Sequence, residues 1–342
     1  MPVATLTRHL AVMGTALSLT VSAPTRDAGL AASEAAVRAV ESVEGLLSTW
    51  RNDTSLARLN AAAPGEPYET PAPLFGLLKR VFEWERATAG AFDPAVGPLV
   101  TAWALRSGGR IPDAAELRRA RNASSPGLFT FEESSLRISR LDAAARIDEG
   151  AWGKGWALDE AAAALRTSGA TSFVLDLGGQ VLASGEEKAI AVAHPRDRTR
   201  TVATLRLKDA SASTSGNSER GLVVAGRRVG HLLDPRSGEP APDFGSVTVV
   251  AKDGLTADVL STAFFVLGPK EGMALSERLR AGGTPNEVLF FLEGEEGRGL
   301  RVSMSPGMKQ LADLAPGDAR ASRAAAPRSR PLSKKSLEGA HP

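Results

Sequence analysis

Cysteine is missing from all 342 residues. Its absence excludes disulfides, thiolate zinc sites, iron–sulfur clusters, thiol nucleophiles and a lipidated cysteine anchor together, while leaving the redox compartment open. Long hydrophobic runs are missing too, since no stretch approaches the ~18 apolar residues of a transmembrane helix. Charge of one sign is missing from the body. The formal net charge is +2, but Arg320, Arg323, Arg328, Arg330, Lys334 and Lys335 against Asp318 and Glu338 give the last stretch +4, which leaves residues 1–314 at about −2. A body without a basic face carries no nucleic-acid footprint. Residues 315–342, rich in Ala, Pro, Ser and Arg, hold too few large apolar side chains to bury a core, and are expected to be a disordered, solvated basic tail.

What is present reads as one globular unit over 8–312. Residues 27–50 carry apolar side chains at helical spacing and predict an amphipathic helix. The stretch 71–90 opens with prolines and ends at Gly90, predicting a second helix, and 154–169 predicts a third, closed by Gly169. "LTADVLSTAFFVLG" and "EGMALSERLR" read as a fourth and a fifth. Strand patterns occupy 129–140 (a hairpin around Glu132–Ser135), 172–179, 203–213, 221–234, 245–253 and 286–293. Helices and strands mix without strict alternation, so the fold class is α+β with mixed or antiparallel sheets. "AVMGTALSLTV" behind Arg8 and His9 reads either as an export signal or as a first strand broken at Gly14. The strand and a cytoplasmic location are the expectation, with a periplasmic or membrane-associated protein as the alternative.

Five stretches carry candidate chemistry. "GAFDPAVGPLVTAW" (90–103) reads as a rigid, non-helical platform. "IDEGAWGKGWALD" (147–159) places Gly150, Gly153 and Gly155 around Lys154 before a helix, which suits a phosphate or pyrophosphate or is merely an exposed turn. "STSGNSERG" (213–221), with Ser215 and Gly216, reads as a surface loop or as amides and hydroxyls arranged around an anion. "TADVLSTA" (256–263) sets Asp258 and Thr262 one helical turn apart. The carboxylate is either a favourable charge near a helix start or, with the hydroxyl and a carbonyl, a set of hard oxygens for Mg²⁺. "HLLDPRSGEP" (231–240) places one of only four histidines just before a turn fixed by Pro235 and Gly238. The paired glycines of "DLGG" (176–179) mark a tight turn or a close backbone approach, and no dinucleotide fingerprint follows them.

In order and spacing these stretches resemble the ApbE family, the FAD:protein FMN transferases. Met13, Gly14 and Thr15 match the family's "MGT" strand. "TSLARLN" at 54–60 matches loosely an "S-x-x-S-x-L-N" helix exit. Residues 90–103 match "G-x-F-D-P-T-V-G-P-L-V…W" with Ala95 for Thr, and 148–159 match "D-L-G-G-I-A-K-G-Y-A-x-D". "DLGG" matches "N-L-G-G", and 214–216, 231–238 and 257–263 match "T-S-G", "H-I-I-D-P-R-T-G" and "A-D-A-L-A-T-A". The likeness runs from about residue 10 to 310.

The resemblance implies a flavin-transferase domain in which a Ser or Thr hydroxyl of a target protein attacks the FMN-side phosphorus of FAD, leaving phosphoester-linked FMN and AMP. It implies that Met13, Trp50, Ala91, Phe92, Asp93, Gly150, Trp156 and Leu232 line the FAD site, joined by Gly14, Thr15, Lys154, Ser215 and Gly216 from the matched motifs. Mg²⁺ would take the Asp258 carboxylate, the Thr262 hydroxyl and the carbonyls of Gly153 and Ser261. His231 is the candidate general base. The partners implied are FAD and an acceptor flavoprotein with a Ser/Thr motif. A protein that only binds FAD, or a pyrophosphatase releasing FMN and AMP, are the alternatives on the same scaffold. Trp50 stands for the family's Tyr, Glu149, Ala151 and Trp152 depart from its glycine-rich stretch, and Ser218 stands where many relatives carry an aromatic. Glu149 is expected to point outward, away from the phosphates.

Overall fold

A computed structural model of the protein describes residues 4–217, 222–224, 226–294, 299–316 and 319–321. The chain begins with β1 (Ala4–Val12) and β2 (Thr15–Ala23), followed by α1 (Arg26–Leu47), α2 (Ser55–Ala61), β3 (Tyr68–Glu69) and α3 (Ala72–Ala87). Next come α4 (Gly97–Ala102), α5 (Ala114–Ala123), β4 (Phe129–Glu132), β5 (Arg137–Arg140), α6 (Gly153–Thr167), β6 (Ser172–Leu177) and β7 (Gln180–Ser184). β8 (Lys188–Ala193), β9 (Thr201–Leu207), β10 (Ala210–Gly216), β11 (Leu222–Val224), β12 (Arg227–Val229) and β13 (Gly245–Ala251) lead to the long α7 (Gly254–Ala281). β14 (Asn286–Glu293), β15 (Leu300–Met304), α8 (Met308–Leu311), β16 (Ala312–Leu314) and β17 (Ala319–Ala321) finish it. The architecture is α+β.

The spine is a nine-stranded sheet ordered β1-β2-β6-β7-β10-β13-β14-β15-β17. Its pairings are antiparallel except β15 with β17. Side chains alternate across a strand, and the middle strands use both faces. Val247, Val249, Val288 and Phe290 enter the main core under α1, α6 and α7, whereas Val250, Leu289 and Phe291 enter a second core. Val202, Leu205 and Leu207 of β9 close that second core from the small sheet β16-β9-β8. A third cluster joins Leu99, Ala102 and Trp103 of the α4 region to Ala120, Val229 and Leu233.

α1 forms because Ala32, Ala36, Val40, Val43 and Leu47 recur on one face and are buried, while Thr25 caps its first turn by accepting from the Ala28 amide. Across from it, α6 offers Ala157, Ala161 and Ala162, small enough to bring the two helix axes close. Asp253 caps α7 by accepting from Thr256 N.

Three expectations need correction. The N-terminal stretch is a two-strand hairpin, Val12 pairing with Thr15 across Met13-Gly14, because both turn residues adopt positive φ (52° and 68°) and reverse the chain. The expected fourth and fifth helices are both present, as the two segments of α7 separated by a non-helical Gly268 (φ 73°) before Pro269. The platform 90–103 contains a short helix, α4, because Pro98 sits in its first turn where no amide is needed. "STSG" is not a loop. It belongs to β10, paired with β13, where Ser213 and Ser215 are buried and Thr214 faces outward. Ser218 lies outside the described residues, as does most of 315–342. Of that terminal stretch, Ala319–Ala321 form β17. Among the described residues no helix is long and apolar enough to cross a membrane.

Candidate active site

Asp258 is the centre of the arrangement. It lies in the first half of α7, 4% exposed, and its carboxylate receives three kinds of donor. Lys154 Nζ lies 3.3 and 3.4 Å from its two oxygens. Gly155 N donates to Oδ2 at 3.0 Å, and Ser213 Oγ reaches Oδ1 at 3.5 Å. Ser213 Oγ lies 3.1 Å from Ser261 Oγ, which lies 2.9 Å from Ser215 Oγ and donates to the Asp258 carbonyl at 3.0 Å. Ser213 and Ser215 share a face of β10 by strand alternation. Thr262 is half-buried on the next position of α7.

α6 can approach because residue 155 is glycine. A Cβ there would stand 2.3 Å from the Gly254 carbonyl oxygen. Asp159, one turn along α6, accepts from the amides of Gly254 (2.6 Å) and Leu255 (2.9 Å) and so holds the start of α7. Burial pushes its carboxyl up to about 6, against those two amides, which lower it. Gln180 adds a bond from Nε2 to the Gly254 carbonyl at 2.8 Å.

The glycine-rich stretch feeds this centre from a second corner. Gly150 N donates to Asp148 Oδ1 (2.9 Å), Asp148 N donates to the Pro94 carbonyl (2.9 Å), and Gly153 N donates to the Glu149 carbonyl (2.8 Å). Three expected anion donors are thus engaged within the chain, Gly155 by Asp258, Gly150 and Gly153 by their own stretch. Glu149 does not point outward. Its carboxylate turns to Thr49, accepting from the amide (3.2 Å) and the hydroxyl (2.7 and 2.9 Å), with Arg106 Nη2 at 3.6 Å. Burial, then Asp148, push its carboxyl up, while Thr49 and Arg106 lower it. Trp50 beside Thr49 is 71% exposed.

Ala91 and Phe92 are buried in the main core, as is Trp156, whose Nε1 donates to Glu160 (2.9 Å), so Ala91 and Phe92 offer a ligand their backbone more than their side chains. Asp93 is also buried, and burial raises its carboxyl to about 7, opposed by the Ala95 amide it accepts and reinforced by Glu85. The histidine turn docks onto this segment. Arg236 packs within 3.5 Å of where a Gly90 Cβ would stand, and Trp103 Nε1 donates to the Gly238 carbonyl at 2.8 Å. Gly238 has φ 80° and bonds back to the Asp234 carbonyl at 2.7 Å, closing the turn that Pro235 and Gly238 predict. Leu233 pairs with Pro240 and the Leu232 carbonyl accepts from Ala241 N, and His231, half-buried, stands just before this paired turn.

Two hairpin turns meet at the remaining corner. Met13 N donates to Glu44 Oε1 at 3.0 Å, and Thr15 Oγ1 would lie 2.7 Å from a Cβ on Gly178 (φ 59°). Residues 11–16 and Glu44 line a cavity of about 450 Å³ there. The structure therefore joins Asp258, Ser261, Ser215, Gly155 and Lys154 by direct bonds, while Gly150 is tied through Asp148 to Pro94, and the 231–238 turn to residues 90–103 through the Trp103 and Arg236 side chains. The Met13–Thr15 corner stands apart from those bonds, tied to the "DLGG" turn instead. Sequence reasoning missed Ser213, whose signal is its position two residues before Ser215 in a strand, and Gln180 and Arg106, which carry no local signal; Asp159 closes the matched 148–159 motif but gained no role there.

Among the described residues no three His, Asp or Glu side chains cluster to hold a metal. One buried carboxylate with neighbouring hydroxyls and carbonyls nevertheless fits Mg²⁺, a hard cation commonly held by one or two carboxylates together with substrate phosphates. Lys154 supplies positive charge to Asp258 in the structure as it stands.

A family model described as "ApbE family" matches residues 13–284. A Vibrio cholerae protein named FAD:protein FMN transferase is 30% identical over 70% of this chain and 74% of its own length. A Klebsiella pneumoniae protein of the same name is 31% identical over 69% and 75%. The solved structure titled Flavin Transferase ApbE from Vibrio cholerae aligns with a TM-score of 0.76 at 25% identity, covering 91% of this chain and all of that one. The ApbE protein of Thermotoga maritima aligns with a TM-score of 0.80 at 27% identity over 90% and 99%. With most of its length and its whole architecture accounted for by these matches, the chain belongs to the ApbE family.

Proposed function

We infer that this ApbE-family enzyme, a transferase that moves flavin from FAD to a protein, joins FMN to a Ser or Thr hydroxyl of its acceptor. The hydroxyl oxygen bonds to the FMN-side phosphorus, the bond from that phosphorus to the bridging pyrophosphate oxygen breaks, and AMP leaves. A hydroxyl is a poor nucleophile and needs a base, and His231, half-buried just before its paired turn, is assigned that role. Its imidazole takes the hydroxyl proton and can return it to solvent or to the leaving phosphate.

The observation that carries this reading is the buried Asp258 with Lys154, Gly155 N and Ser213 converging on it. Such a carboxylate has little reason to be buried beside a lysine unless charge is to be managed there. The Asp258 carboxylate, the Thr262 hydroxyl and the carbonyls of Gly153 and Ser261 would hold Mg²⁺, which when bound neutralises charge on the phosphoryl oxygens. Met13–Thr15, Trp50, Ala91–Asp93, Gly150, Trp156, Ser215–Gly216 and Leu232 are assigned to FAD. The apolar stretch near residue 14 supplies buried sheet residues (Leu17, Leu19 and Val21), which supports reading it as structure rather than as an export signal.

The test is incubation with FAD, Mg²⁺ and an acceptor carrying a D-G-x-[ST]-G-A-[ST]-type motif, followed by mass spectrometry. The acceptor should gain one FMN by phosphoester while AMP appears in equal amount. FMN and AMP released with an unmodified acceptor would identify water as the nucleophile and overturn the assignment.

A further inference from the structure

The indole of Trp50, three residues beyond α1, is open to solvent over most of its surface, yet it is not loosely held. The Arg106 guanidinium lies over its ring, 5.0 Å from the centroid. Arg106 is fixed in turn. Nη1 donates to Thr49 Oγ1 and Nη2 to Asp148 Oδ2, each at 2.6 Å, with Glu149 Oε2 3.6 Å from Nη2. Glu149 grips Thr49 a second time through its amide and hydroxyl. The residue before Trp50 is therefore held by both members of one ion pair, and the ring itself by a flat cation stacked upon it.

This arrangement is costly for a purely structural device. It buries most of two carboxylates, with Asp148 and Glu149 side chains 13% and 12% exposed, against one guanidinium, in order to steady a tryptophan that contributes little to any core. An aromatic face kept exposed and kept still is what a planar ligand needs, because immobilising a side chain at the moment of binding weakens affinity. A guanidinium plate covering one face leaves the other free to stack.

We propose that Arg106, acting with Glu149 through Thr49, is a positioning residue that presets Trp50 as the stacking face for the isoalloxazine of FAD. The proposal rests on the flavin-transfer reading. It also gives Glu149 a role in the glycine-rich stretch, since this carboxylate is committed to Thr49 and Arg106.

The experiment is FAD titration of the full chain, followed by flavin fluorescence and by absorbance in the long-wavelength flavin band, for wild type, R106M, E149Q, W50L and the double variant R106M/W50L. Arg106→Met keeps the apolar stem and removes the plate, so FAD affinity should fall about 5- to 10-fold and quenching of flavin fluorescence should weaken. Glu149→Gln should act in the same direction more mildly. Because Arg106 acts through the indole, R106M should cost nothing further once Trp50 is leucine, the coupling a double-mutant cycle measures. Affinity within twofold of wild type in R106M, or the same loss with and without Trp50, overturns the proposal, the latter by showing a contact that bypasses the ring. Wild-type protein that fails to take up FAD overturns the flavin reading and the proposal together, an outcome distinct from either variant result.

Discussion

Gly155 and Gly254 meet backbone to backbone: a Cβ added to either would lie 2.3 Å from the other's carbonyl oxygen. That contact presses α6 against the start of α7 and puts Gly155 N within 3.0 Å of Asp258. Gly155→Ala must push the helices apart, an overpacking cost of about 1–3 kcal/mol or more. Thermal denaturation should show a clearly lowered Tm, and activity should fall further than stability because the Asp258 bond is lost. An unchanged Tm would mean that the contact relaxes freely.

Asp258→Asn retains an oxygen for Lys154 and Gly155 while removing the buried negative charge. The fold should persist. Transfer should fall by several kcal/mol in transition-state stabilisation, on the order expected for loss of a metal's protein carboxylate. Stabilisation of the wild type by Mg²⁺ in a melting experiment should vanish in the variant. Full turnover in excess chelator would make residues 256–263 ordinary core.

His231→Ala should bind FAD almost normally while losing roughly 10²–10⁴-fold in rate, the usual worth of a positioned base. The wild-type rate should climb with pH across the range in which imidazole changes charge, and the variant should lack that limb. Equal rates and equal profiles would move the base elsewhere.

Asp93 gives a stability prediction with a definite sign. Its carboxyl ionises near 3.8 when free and at about 7 in the fold, because burial disfavours the charge. The folded state therefore binds the extra proton between those values, so this group's penalty is absent below about 4 and grows as pH rises through 7. Asp93→Asn, which can keep the bond from Ala95 N, should be no more stable than wild type at pH 4 and more stable at pH 8, by at most about 4 kcal/mol. Denaturant melts at the two pH values give the comparison, and an equal difference at both would remove Asp93 as the titrating group.

What was legible in the sequence was whatever has a local cause. α1, α3, α6 and the β4–β5 hairpin follow from apolar spacing and turn residues, and the 231–238 turn from Pro235 and Gly238. The order of the motifs carried the family. What escaped depends on neighbours distant in sequence. Ser213 and Ser215 look like loop residues until β13 and α7 enclose them, and the motif residue Asp159 shows its role only where it caps α7 95 residues away. The two helices within 254–281 were legible, by contrast, because Gly268 and Pro269 break the pattern between them, and the backbone at Gly268 is indeed non-helical. Arg106 gave no sign at all, because its meaning lies in Thr49, Trp50 and Asp148.

The hydroxyls of Ser213, Ser215 and Ser261 form contacts in which either oxygen can be the donor. Their hydrogens can turn while every heavy atom stays in place. A row of rotatable dipoles beside a buried carboxylate can reorient to answer a change in the charge that faces Asp258, within the time of a bond rotation. The centre can thus pass through differently charged states over a catalytic cycle without asking the sheet or the helices to move.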